Sequence, residues 1–204
     1  DKHLELFKKY NVKVGCSIDG PPEHNVLRGY WLRGKPDNEK NKEYNRRVNE
    51  NLTRLAKEGL LCGIIVVVHR ANAGDEEKLR KLVNWIDWLS SLGVKSGRLN
   101  PMYATTPWAK PYELDNDELY NAYTWMWENF FEDRDDLCWS PYPDLVALLM
   151  GQEQRAVCWF NGCNFHDSFV WTIGPHGEIL SCDRTLGEGL WSRAYPLPFT
   201  GMYR

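Results

Sequence analysis

Two cysteines bracket a short stretch near the end of the chain. In "NGCNFHDSFVWTIGPHGEILSCD", residues 161–183, thirteen residues separate Cys163 from Gly177 and four separate Gly177 from Cys182. A glycine on the turn side of a hairpin brings the two ends together, so both sulfurs can face one site. Paired thiolates there suit zinc or an iron–sulfur centre, and oxidised they would be a disulfide. A closed zinc site usually recruits Cys-x2-Cys pairs, which this chain lacks. Cys158 and His166 are the candidate further ligands.

A second group of polar residues sits where apolar, strand-like runs end. In "VKVGCSIDG", Val12, Val14, Cys16 and Ile18 alternate with Lys13, Gly15, Ser17 and Asp19. A period of two puts the sets on opposite faces, which predicts Ser17 and Asp19 pointing into a lumen at a strand's carboxyl end. The Ser17 hydroxyl can donate to a carboxylate or a ribose. Asp19 can accept from a hydroxyl or an amine. Followed by Gly-Pro, it reads more simply as a turn residue bonding its own backbone. "LLCGIIVVVHR" delivers His69, Arg70 and, just beyond, Asn72 to the same rim. "VKSGRLNPMYA" delivers Arg98 and Asn100, opposite Leu99. Singly, His69 reads as a satisfied histidine, Arg70 as a solvated arginine, and Arg98 and Asn100 as lumen polars. Three converging strand ends predict a polar pocket.

The elements that must position these residues alternate. Leu4, Leu6, Phe7 and Tyr10 have helical spacing. "KEYNRRVNENLTRLAKEG" reads as a helix closed by Gly59. "LLCGIIVVVHR" reads as a strand buried on both faces, as in parallel sheets. "DEEKLRKLVNWIDWLSSLG" has Asp75 as N-cap, acidic residues in its first turn and Gly93 at its end. "DNDELYNAYTWMWENFFED" and "DLVALLMGQEQRAV" read as further helices. Helix and strand in strict alternation predict an α/β fold with parallel strands and right-handed crossovers. Three strands cannot close a barrel, so residues 1–150 are expected to form a partial (β/α) TIM-type barrel. Residues 151–204, where two short strands flank Pro-His-Gly, are expected to form a small β-hairpin module.

Composition narrows the function classes. The chain has 204 residues with a net charge of -3, which argues against a nucleic-acid footprint. The run Leu60–Val68 is too short for a bilayer, so no membrane association is expected. No signal peptide is visible, which predicts a reducing compartment without a disulfide framework. Cys16 and Cys62 are expected to act as small hydrophobes. The 10 Trp and 10 Tyr point to a core plus a surface covered by another domain or chain. The start without Met in a helical pattern predicts a piece of a longer protein.

At this point the sequence resembles a known family. "SIDGPPEHNVLR" is similar to the motif after the fourth barrel strand of radical S-adenosylmethionine (SAM) enzymes of the SPASM, anaerobic sulfatase-maturase-like group. Ser17 to Pro21, His24 and Arg28 match that motif, and Asn25 stands where Asp is usual. "VVVHRANA" is similar to the fifth strand. Cys163–Gly177–Cys182 has the spacing that opens a SPASM domain. The resemblance covers nearly the whole chain, in order. It implies that the hairpin module binds a cluster, with Cys163 and Cys182 as ligands of an auxiliary [4Fe–4S] cluster. It implies SAM as cosubstrate, contacted by Ser17, and Asp183 as the group that takes a substrate proton. Its usual chemistry is reductive cleavage of SAM to a 5′-deoxyadenosyl radical, which abstracts hydrogen from a peptide or protein substrate. Cross-link, thioether or formylglycine would result, with a flavodoxin or ferredoxin as reductant, in an anaerobic or cytoplasmic setting. The Cys-x3-Cys-x2-Cys loop and Gly-Gly-Glu strand of the family are absent from 1–204. Two alternatives are a degenerate, non-catalytic peptide-binding barrel and a zinc-stapled β/α-barrel hydrolase.

Overall fold

The β-branched run Leu61–Val68 forms the longest strand of a four-stranded parallel sheet. The computed structural model describes residues 2–32, 35–152, 172–173 and 179–180. In chain order the elements are α1 (Lys2–Lys9), β1 (Val14–Ser17), β2 (Trp31–Leu32), β3 (Lys35–Pro36), α2 (Asn38–Lys57), β4 (Leu61–Val68), α3 (Arg70–Ala73), α4 (Glu76–Ser91), β5 (Ser96–Pro101), α5 (Asn116–Met126), β6 (Cys138–Ser140), α6 (Tyr142–Leu149), β7 (Thr172–Ile173) and β8 (Ile179–Leu180). The chain divides into two units, Asp1–Pro143 and Asp144–Arg204.

In the first unit the sheet order is β1-β4-β5-β6, so every strand lies beside its predecessor in the sheet. Crossovers of one hand between successive neighbours place their helices on one face. The core shows this directly. Ile64, Val66 and Val68 of β4, Leu99 of β5 and Trp139 of β6 pack with Leu52 of α2, Leu82 and Ile86 of α4, and Met126 of α5. The alternate residues point the other way, and Ile65 is 37% exposed. β4 is therefore buried on one face only, not on both as its apolar run suggests. The residue types fit either environment; the helices decide which face is covered.

Side-chain caps fix where the helices begin. The carboxylates of Asp37, Asp75 and Asp115 accept the backbone N–H groups of Lys40, Lys78 and Glu118. Each satisfies one of the donors that a helix start leaves without a partner. α2 and α4 end at Gly59 and Gly93, both with positive φ (64° and 90°), which glycine adopts without steric cost.

The expected three strands are four. β6 is three residues long and carries no alternating run, so it is silent to periodicity. Its register, Ser96↔Cys138, Gly97↔Trp139 and Arg98↔Ser140, sets it parallel to β5. Trp139 is 1% exposed. A Cβ on Gly97 would lie 2.5 Å from its ring, so the missing side chain lets the indole cross β5.

In the second unit β7 and β8 pair antiparallel, with Thr172↔Leu180 and Ile173↔Ile179. Cys158, Cys163, His166, Gly177, Cys182 and Asp183 lie outside the described residues.

Candidate functional site

Asp19 anchors a buried polar clasp at the carboxyl ends of β1 and β4. Its Oδ1 accepts the Val67 N–H at 3.0 Å, and its Oδ2 lies 2.8 Å from Arg28 Nε. Its backbone carbonyl accepts from Asn72 Nδ2 at 2.8 Å, and its backbone N–H donates to Asn25 Oδ1 at 3.1 Å. Asp19 is 2% exposed. It is neither a turn aspartate bonding its own backbone nor a lumen residue. β1 ends at Ser17, and beyond it Ile18, Asp19 and Gly20 are all buried, so the alternation has stopped.

The rest of "SIDGPPEHNVLR" wraps this clasp. Gly20 has φ +127°, and a Cβ there would press on His24 Cβ at 3.0 Å. His24 is buried, and burial is the largest influence lowering its pKa. Asn25 is fully buried and donates to Asn45 Oδ1 of α2 at 2.6 Å. It acts as donor and acceptor at once, which a carboxylate cannot do.

β4 completes the clasp. The His69 N–H donates to Asn72 Oδ1 at 2.8 Å, and Asn72 Nδ2 also donates to Val67 O at 2.9 Å. His69 Nδ1 accepts the Ala71 N–H at 3.2 Å. A neutral imidazole accepting at Nδ1 carries its proton on Nε2. That nitrogen faces Asp19 Oδ2 at 3.6 Å, beyond hydrogen-bond length. His69 and Asn72, expected on a rim, are 1% and 0% exposed and hold the fold. Arg70 stays part-exposed, but it is tied to the chain rather than free. Its guanidinium forks onto the Glu118 carboxylate and donates to Pro111 O and Glu113 O.

Ser17 has a different setting. It is exposed at the last position of β1 and sits in register with Ile65, on the face away from Cys16 and the helices. The row continues Ile65↔Arg98↔Ser140 across the sheet. Asn100 lies further along β5, opposite Val67. Of the polar residues expected at three strand ends, the face gathers Ser17, Arg98 and Asn100, while the clasp takes Asp19, His69 and Asn72. Periodicity does not reveal Ser140, because the three-residue β6 is too short to show an alternation. Nor does it reveal that Asn25 pairs with Asn45, 20 positions along the chain and across a loop.

Cys16 packs against the core, and burial raises its thiol pKa, as expected of a small hydrophobe. Cys62 is exposed, so it does not pack as the small hydrophobe expected. Among the described residues no three His, Cys, Asp or Glu side chains come together as a metal-ligand set. No helix among them is long and apolar enough to cross a membrane. Compared with protein families, curated proteins and solved structures, the chain matches none.

Proposed function

We propose that residues 1–204 belong to a radical SAM/SPASM enzyme that modifies a peptide or protein. The observation that carries the reading is Ser17. Its hydroxyl is exposed at the carboxyl end of a parallel strand, opposite the helices, and it opens "SIDGPP". In β/α barrels ligands bind at that end of the strands. In this reading residues 1–150 are part of a TIM-type barrel and 151–204 open a SPASM domain. The Cys-x3-Cys-x2-Cys loop is supplied from outside 1–204.

When bound, SAM and a [4Fe–4S] cluster would supply hydrogen-abstraction chemistry. The chain's own residues bind and orient. Ser17 would donate to SAM, Cys163 and Cys182 would give two thiolates to an auxiliary [4Fe–4S] cluster, and Asp183 would take the substrate proton. The reductant is a flavodoxin or ferredoxin, and the setting is cytoplasmic.

One observation favours the second reading, a non-catalytic peptide-binding barrel. Asp19, Asn25 and Arg28 of the motif all bond to the fold itself. A structural clasp would keep those residues without any radical chemistry.

The test is anaerobic reconstitution of the protein as encoded, with iron, sulfide and zinc counted for the parent and for Cys163→Ala/Cys182→Ala. The radical reading expects iron and sulfide in the parent, about four iron atoms fewer in the double variant, and SAM cleavage weakened by Ser17→Ala. Asp183→Asn should leave SAM cleavage intact and depress product. Equal iron in parent and double variant removes the SPASM assignment. Iron without SAM cleavage supports the binding barrel, and zinc without iron supports the hydrolase.

A further inference from the structure

We infer that Arg98 is the anion-recognising residue of the sheet's helix-free face, and that it takes a carboxylate of the peptide substrate. The substrate assignment rests on the reading of Ser17 above; the anion site itself does not.

Arg28, Arg46, Arg70, Arg80 and Arg134 each hold a carboxylate of this chain. Arg98 holds none among the described residues, although it stands on β5 in the middle of the sheet. It is exposed on the face opposite the helices, with its neighbours fixed by register. Ile65 lies on one side and Ser140 on the other, and Ser17 stands one strand beyond Ile65. Strands are about 4.8 Å apart, so Ser17 and Arg98 backbones are separated by about 10 Å. A ligand held by Ser17 and a second one held by Arg98 can therefore lie side by side over Ile65.

The floor beside that row is low. Gly15 pairs with Gly63, and a Cβ on Gly15 would meet nothing closer than Gly63 O at 3.9 Å. Ser96 pairs with Cys138 in the same row. Small side chains next to an exposed isoleucine and a guanidinium unpaired among the described residues form a seat for a ligand with an apolar body and an anionic head. Arginine presents a planar fork that matches a carboxylate with two parallel N–H donors. Charge complementarity thus selects a peptide carboxylate, from an acidic side chain or the C-terminus, over a neutral or basic segment.

A carboxylate also occurs on SAM, so the test separates the two sources. Hippurate and its uncharged amide are titrated calorimetrically into the anaerobically reconstituted parent, Arg98→Gln and Arg98→Lys, with S-adenosylhomocysteine titrated in parallel. Circular dichroism checks that each variant folds. The parent should prefer hippurate to the amide by about ten-fold or more. Arg98→Gln should abolish the preference, and Arg98→Lys should keep part of it, because a point charge replaces a fork. S-adenosylhomocysteine affinity should not change. An equal affinity for hippurate and amide in the parent, or a preference that survives in Arg98→Gln, overturns the site. Loss of S-adenosylhomocysteine binding together with hippurate binding in Arg98→Gln overturns the peptide assignment. A hippurate preference in a parent that does not bind S-adenosylhomocysteine leaves the Arg98 site standing and removes the SAM reading.

Discussion

The carboxylate of Asp19 caps the backbone N–H of Val67 across the β1–β4 boundary, at 3.0 Å, while pairing with Arg28 at 2.8 Å. One side chain therefore joins a strand end, the neighbouring strand and the returning loop. Asp19→Ala would leave the Val67 N–H and the Arg28 charge without their partner, and a buried group stripped of its partner costs its full desolvation. We expect a loss of about 3 kcal/mol, read from urea denaturation. Asp19→Asn keeps an acceptor for Val67 and should cost less. A variant as stable as the parent would show that the clasp contributes nothing.

Asn25 stands where the resembled motif has Asp, and its neighbours explain why Asn serves here. It accepts from the Asp19 N–H and donates to Asn45 while fully buried. Asn25→Asp would bury a second carboxylate next to Asp19. We expect a loss of about 1–3 kcal/mol at pH 7, smaller near pH 4 where the new carboxyl protonates. Adding Asn45→Ser, which relieves the clash of two acceptors, should recover part of it. Equal stability at both pH values would show that the site tolerates the charge.

His24 makes stability depend on pH in a defined direction. Burial lowers its pKa, Glu23 partly offsets this, and Lys81, His69 and Lys78 add to the lowering. The unfolded chain therefore takes the proton first, at about 6.5. Stability is complete above that value and is lost as pH falls through it, levelling off below the folded pKa. Urea midpoints between pH 8 and pH 5 should fall for the parent and fall less for His24→Met. Parallel pH profiles for the two proteins would exclude His24 as the source.

Gly97 is required by the tryptophan that crosses it. Its Cβ position lies 2.5 Å from the Trp139 ring, and that ring is buried on β6. Gly97→Ala should destabilise by about 1–3 kcal/mol, the usual cost of overpacking, and Gly97→Val by more. Pairing Gly97→Ala with Trp139→Leu should return part of the loss, because the smaller side chain vacates the space. Additive losses in the double variant would place the clash elsewhere.

The sequence by itself determined the local elements. Capping residues and helix-ending glycines act within one turn, so Asp75, Gly59 and Gly93 could be read directly and stand where expected. The helix–strand alternation likewise determined an α/β fold with parallel strands. Strand period placed Ser17 on the face opposite Cys16, because alternation is a property of the strand alone. Only the tertiary structure decided which sheet face the helices cover, that Cys138–Ser140 adds a fourth strand, and that Asp19, expected at a turn or in a lumen, closes a buried clasp. It also decided that Arg70 is tied to Glu118 while Arg98 stays unpaired among the described residues. The physical reason is range. Asp19 meets Val67 across 48 positions, as Arg70 meets Glu118. Such contacts depend on strand register and on which elements become neighbours, and neither is written into the periodicity of a single segment.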